Sequence, residues 1–149
     1  MKKYIFITLF CILLLTGCTT NTQIANPIIA VNTIEEMNDY LSYKVPVLDK
    51  DVKDYILIKD TAHARIVYED NTEFDIDKDE ETVSGIYGGA KVKEEIIENI
   101  NVKYYVYDNI HYVIWTNGTY SFSYQNMNDN INFDELKILC EKTKDLKWN

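Results

Sequence analysis

Cys140, His63 and His111 are the residues from which this chain could build a nucleophile and its base. Glu73, Asp75 and Asp77 are those from which a hydrolase could draw paired carboxylates. A thiol attacks as the thiolate, and burial among apolar groups suppresses that form. Cys140 sits with Leu136, Leu139 and Thr143 at helical spacing, so it reads as part of an apolar stripe. His111 lies between strand-forming residues on a face shared with aromatics, where a packed or rim histidine is expected. These histidines and the one thiol give no zinc-ligand spacing. Asp75-x-Asp77-x-Asp79 resembles the opening of a calcium loop. Glu80 stands where that loop needs glycine and Ile86 where it needs a bidentate glutamate. Gly85, Gly88 and Gly89 could shape a backbone nest for an anion, but the Lys-Ser/Thr ending of a phosphate loop is missing. The residues therefore predict no catalytic constellation, no metal and no cofactor.

The chemistry that the residues do specify is at the N-terminus. Met1-Lys2-Lys3 is followed by an apolar run from Tyr4 to Leu15 and then by Leu15-Thr16-Gly17-Cys18. That is a charged and then an apolar region of a secretory signal, shorter than the roughly 20 residues of a membrane-spanning helix. Its end resembles a bacterial lipobox, which makes Cys18 the expected site of diacylation, with palmitate-type chains. The expected organisation is a lipoprotein signal peptide over 1–17, a lipidated tether over 18–27 and a single domain over 28–149. Two acyl chains would hold the domain on the outer side of the cell membrane. Cys11 leaves with the signal, and Cys140 then has no partner for a disulfide.

The chain has 149 residues, with 24 Asp and Glu against 15 Lys and Arg, for a formal net charge of −9. Loss of Lys2 and Lys3 with the signal makes the domain more acidic still. A nucleic-acid or anionic-lipid surface needs the opposite sign, so neither is an expected partner.

The elements that must position any site are mostly strands. Thr33 with Glu36, or Asn32 with Glu35, forms a capping box for a helix that buries Ile34, Met37 and Leu41 and cannot continue past Val45-Pro46. Tyr55–Ile58, Ala62–Tyr68, Thr72–Asp77, Val92–Ile97 and Val102–Tyr107 read as strands. A three-residue loop with Asn71 left-handed sets Ile66 against Phe74 and Ala64 against Ile76. Asp108-Asn109 pairs Val106 with His111 and Tyr104 with Val113. Asn117-Gly118, read as a two-residue type I′ turn, pairs Trp115 with Tyr120 and Val113 with Phe122. A second helix follows Asn132, with Ile131 and Leu136 as a staple, Glu135 reaching back to the cap, and Leu136, Leu139, Cys140 and Thr143 inward. The predicted class is α+β: a mainly antiparallel sheet built as a meander of hairpins, with an N-terminal and a C-terminal helix packed on it.

These registers put His111, Val113, Trp115, Phe122 and Tyr124 on one face and Tyr105, Tyr107, Tyr112 and Ile114 on the other. If a helix covers the second face as well, those residues are core. If not, Tyr105, Tyr107, Tyr112 and Ile114 form a binding face, since tyrosine combines apolar area with a polar tip.

Several segments in order resemble an uncharacterised family of secreted bacterial lipoproteins, whose domain also occurs in extracytoplasmic parts of anti-sigma-factor-like membrane proteins. They are Asn26-Pro27-Ile28, Glu35-Glu36-Met37, Tyr43-Lys44-Val45-Pro46, Ala64-x-Ile66-x-Tyr68, Ser84-Gly85-Ile86-Tyr87-Gly88-Gly89 and Trp115-x-x-Gly118-x-Tyr120-Ser121-Phe122-Ser123. The resemblance implies a lipid-anchored, non-catalytic α+β module and brings no ligand or catalytic residues with it. The expected function is a membrane-anchored extracytoplasmic binding or sensing module with an envelope protein as partner. The alternatives are a cell-envelope hydrolase working through carboxylates such as Glu73, Asp75 and Asp77, or an inhibitor or immunity-type lipoprotein.

Overall fold

Eight antiparallel strands form one sheet, built from two four-stranded meanders laid edge to edge. The computed structural model describes residues 27–41, 43–58, 61–78, 83, 85, 89–127 and 130–147, so the predicted lipid site at Cys18 lies outside the described residues. The first meander is β1 (Ile28–Val31), β2 (Val52–Ile58), β3 (Ala64–Tyr68) and β4 (Thr72–Asp77). The second is β5 (Ala90–Ile97), β6 (Ile100–Tyr107), β7 (Ile110–Thr116) and β8 (Ser121–Asn126). Their last strands pair, giving the order β1-β2-β3-β4-β8-β7-β6-β5. Helix α1 (Ile34–Tyr40) follows β1, and α2 (Phe133–Thr143) closes the chain. The fold class is α+β, as the sequence predicts.

Local signals account for most of this. Asn71 is left-handed (φ 63°), and β3 and β4 pair Ile66 with Phe74 and Ala64 with Ile76 as expected. Glu98-Asn99 and Asp108-Asn109 both carry positive φ at two successive residues, the geometry of tight hairpin turns. The second turn sets Val106 against His111 and Tyr104 against Val113. Thr33 caps α1 by accepting from Glu36 N–H, and the Glu36 carboxylate accepts from Asn32 N–H at 2.8 Å.

Other expectations are corrected. The β7–β8 turn is not a two-residue loop: the pairs are Trp115 with Phe122 and Val113 with Tyr124, two residues beyond the predicted register. Only Gly118 of that turn has positive φ. Asn117 instead uses its side-chain oxygen to accept from Thr119 and Tyr120 N–H, while its amide donates to the carbonyls of Thr143 and Leu146 at the end of α2. A shift of two keeps every side chain on its predicted face, because strands alternate with period two. Helix α1 ends at a Leu41 cap, well before Pro46. Glu135 does not reach back to Asn132, which caps α2 by itself. It accepts instead from Tyr124 Oη (2.5 Å) and Lys50 Nζ (2.6 Å), and Lys50 also binds Asp70 and Thr72.

The core lies on one side of the sheet. Ile66, Phe74, Ile76, Val102, Val113, Trp115, Phe122 and Tyr124 face Met37 of α1, Leu136, Leu139 and Cys140 of α2, and the connecting residues Tyr43, Val45 and Leu48. The α2 stripe is buried as predicted. Among the described residues no helix is long and apolar enough to cross a membrane.

Candidate functional site

The other side of the sheet gathers the polar chemistry. Alternation along β4 turns Phe74 and Ile76 to the core and Glu73, Asp75 and Asp77 to the outer face. The β3–β4 register then sets Arg65 opposite Asp75. Asp75 is completely enclosed. Its Oδ1 accepts from Arg65 Nε at 2.6 Å and from His63 Nε2 at 3.0 Å. The other ring nitrogen of His63 meets Asp77 Oδ2 at 3.0 Å, and Arg65 also approaches Glu73. Gln125, brought alongside by the β4–β8 pairing, donates to Glu73 at 2.5 Å.

His63 is thus clamped between two carboxylates. Burial by itself would lower its pKa, but hydrogen bonds to Asp75 and Asp77 and their charges push it up to about 9. At neutral pH the ring is an imidazolium with both N–H groups donated, so it has no lone pair to act as a base. The raised value has a consequence for stability. The unfolded histidine titrates near 6.5, so the clamp contributes fully below that pH and its contribution fades as pH rises through about 9. Wild-type unfolding free energy should therefore fall by roughly 2 kcal/mol between pH 6.5 and 9 relative to a His63→Gln variant. Urea denaturation of both proteins across that window checks this, and parallel curves would show that the clamp is absent.

Beside the ionic network lies a smaller apolar cluster. Tyr112 and Ile114, opposite Gln125 and Ser123 in the β7–β8 register, are buried with Val83. Tyr105 stacks on Tyr112 with ring centroids 5.1 Å apart. Gly89 passes so close to Tyr112 that a Cβ there would collide with the phenol, while a Cβ at Gly85 (φ 65°) would come within 3.0 Å of Arg65 Nη2. Among the described residues, Val83 and Gly89 therefore lie against this part of the second face, and no helix does. Of the predicted binding residues, Tyr112 and Ile114 are enclosed, Tyr105 is half-buried and Tyr107 is 47% exposed. Residues 79–82, 84 and 86–88, which include Asp79, Glu80 and Ile86 of the calcium-like motif and Gly88 of the glycine-rich one, lie outside the described residues.

The remaining chemical candidates are kept apart. Cys140 is buried under the core face of the sheet, while His63 is on the outer face. Burial, with the charge of Glu98 second, pushes the Cys140 thiol up to about 12. His111 sits at a cleft of about 240 Å³ lined by Val92, Lys93, Tyr104, Val106 and Ile131. Lys93 is engaged there with Glu95 and lies over the Tyr104 ring. Among the described residues no group of three His, Cys, Asp or Glu side chains is arranged to hold a metal.

Sequence reasoning missed Arg65, Ser123 and Gln125. Arg65 was within reach, because the predicted β3–β4 register already places it against Asp75. Ser123 and Gln125 join the site only through the long-range β4–β8 pairing. No family model, curated protein or solved structure matches the chain.

Proposed function

We propose that this chain is a lipid-anchored lipoprotein on the extracytoplasmic side of the cell membrane, and that its domain is a non-catalytic binding or sensing module for an envelope protein. The observation that carries this reading is the fate of the reactive groups. His63, Arg65, Glu73, Asp75 and Asp77 are engaged with one another, and Cys140 is enclosed, its thiol pushed up to about 12. A hydrolase of the kind that pairs carboxylates needs an open acid and an open base or nucleophile. Here the central carboxylate is enclosed and shared by two cations. The lipobox order ending in Cys18 and the resemblance to secreted lipoproteins support the anchored location.

The partner surface in this reading is the part of the second face left open, Tyr107 with the edge of Tyr105. Exposed tyrosine suits it because two rotatable bonds carry a large contact area. Two measurements test the proposal. Cys18→Ala should abolish acyl labelling and move the protein from the membrane to the soluble fraction, and unchanged fractionation would overturn the anchor. A photo-cross-linking residue at Tyr107 in intact cells should capture one discrete envelope protein. The same pattern of adducts from a cross-linker at exposed Tyr40, on the other side of the domain, would overturn the tyrosine surface.

A further inference from the structure

The Asn117-Gly118 pair carries chemistry as well as a turn. Asparagine followed by glycine is the pairing most prone to deamidation, because no Cβ shields the glycine nitrogen that attacks the carboxamide. Gly118 and its neighbours Thr116 and Thr119 are exposed, and a Cβ built on Gly118 would meet open space. Solvent therefore reaches the peptide bond that would react. The carboxamide itself is held by hydrogen bonds at both ends. Its Oδ1 accepts from Thr119 N–H at 3.0 Å and Tyr120 N–H at 2.9 Å, and its Nδ2 donates to the Thr143 and Leu146 carbonyls at 2.8 and 2.9 Å. The Gly118 N–H, which carries the nucleophile's own proton, donates to Thr116 Oγ1 at 3.0 Å.

The reaction needs only water as a co-reactant. Gly118 N forms a bond to Asn117 Cγ, the Cγ–Nδ2 bond breaks, and the proton lost by Gly118 N leaves with Nδ2 as ammonia. Water then opens the resulting succinimide ring. Its attack at Cγ yields aspartate, and its attack at the backbone carbonyl yields isoaspartate, with the chain running through the former side chain. Ring closure requires Cγ to present its face to the nitrogen in a near-attack geometry. The bonds from Thr119 and Tyr120 polarise the carbonyl, so they do not by themselves prevent closure. The restraint lies with Nδ2. It must depart as ammonia, yet it is pinned between two carbonyls that only accept and can give it no proton. Those carbonyls belong to the end of α2 and the turn after it, so the reaction waits until that end lifts away.

We propose that Asn117 is a self-modifying site guarded by the end of α2, and that its deamidation unfastens α2 irreversibly. The product carboxylate keeps the acceptor role toward Thr119 and Tyr120 but has no N–H for Thr143 and Leu146. It faces two carbonyl oxygens at the negative end of the helix dipole, so the latch does not close again. The site stands independently of the lipid anchor and of the tyrosine surface proposed above.

Peptide mapping by mass spectrometry of the purified full-length chain, incubated at neutral pH, tests the guard. Aspartate and isoaspartate at position 117 should accumulate roughly 100-fold more slowly in the folded chain than in the same chain unfolded in urea, the factor expected for two hydrogen bonds of ordinary strength. An equal or faster rate in the folded chain would overturn the guard, because the turn would then promote ring closure. Asn117→Asp supplies the product directly and spares the acceptor half of the turn. The amides of Lys144 and Leu146, which donate to the Cys140 and Thr143 carbonyls, should lose hydrogen-exchange protection in this variant. Its thermal midpoint should fall by roughly 3–8 °C. Wild-type protection at both amides would overturn the latch.

Discussion

Replacing Asp75 by alanine should cost about 3–5 kcal/mol of folding stability, the range for breaking an enclosed ion pair by deleting one partner. The carboxylate is the shared acceptor of Arg65 Nε and His63 Nε2. Its loss strands two cations that are both largely desolvated, with side-chain exposures of 27% and 15%. Arg65 keeps only a 3.6 Å approach to Glu73, and His63 keeps Asp77. The substitution should also lower the His63 pKa from about 9, since the first-ranked force raising it against burial is the hydrogen bond to Asp75. An NMR titration of the imidazole reads that change directly, while urea denaturation reads the stability. Replacing Arg65 by methionine in the same background should recover part of the loss, because an apolar isostere is cheaper to enclose than an unpaired guanidinium. Equal stability of wild type and Asp75→Ala would mean that water reaches the network and screens it.

The network also shows where a sequence stops being legible. The β3–β4 hairpin could be read because two local facts agree: Asn71 tolerates a left-handed turn, and a three-residue loop is the one that aligns Ile66 with Phe74. Arg65 then necessarily faces Asp75. The seam between β4 and β8 has no such signal. It joins Glu73 to Gln125 across a long stretch of chain with no connecting turn, and Ser123 reads as an ordinary solvent-facing serine until that pairing exists. β1 was missed for a related reason: Ile28 to Val31 is a short apolar edge strand without alternation, directly after a segment read as tether. The second face of β6 and β7 was divided correctly from the first, but its cover was not foreseen. Val83 is next to a turn-rich sequence, and nothing local says which sheet face a single valine there will meet.

The β7–β8 turn is the instructive error. Asn117-Gly118 favours a tight two-residue loop when the turn has no other work. In this chain the Asn117 amide spans to the carbonyls of Thr143 and Leu146, orphaned acceptors at the end of α2. That tertiary use outweighs the local preference and lengthens the loop, so Trp115 meets Phe122 in place of Tyr120. Because the slip is two residues, the core composition was predicted correctly from a wrong register.

Trp115 is where that turn, the core face and α2 meet, and Trp115→Ala should be among the most damaging single substitutions in the domain. The indole is 2% exposed and stacks near Phe122 and Phe74, with centroids 5.5 and 6.1 Å away. Its Nε1–H donates at 2.9 Å to Thr143 Oγ1, the last residue of the helix stripe. Truncation to alanine removes the ring and leaves a cavity between rigid aromatics, for about 3–5 kcal/mol. Trp115→Phe separates the two contributions: it keeps most of the apolar area, loses the hydrogen bond to Thr143, and should cost about 1–2 kcal/mol. If the indole anchors the end of α2, amides from Leu139 to Thr143 should lose hydrogen-exchange protection in Trp115→Phe while those of β3 and β4 keep theirs. Uniform loss across the sheet and the helix would instead mean that Trp115 acts only as core volume and that the Asn117 clamp alone holds α2 in place.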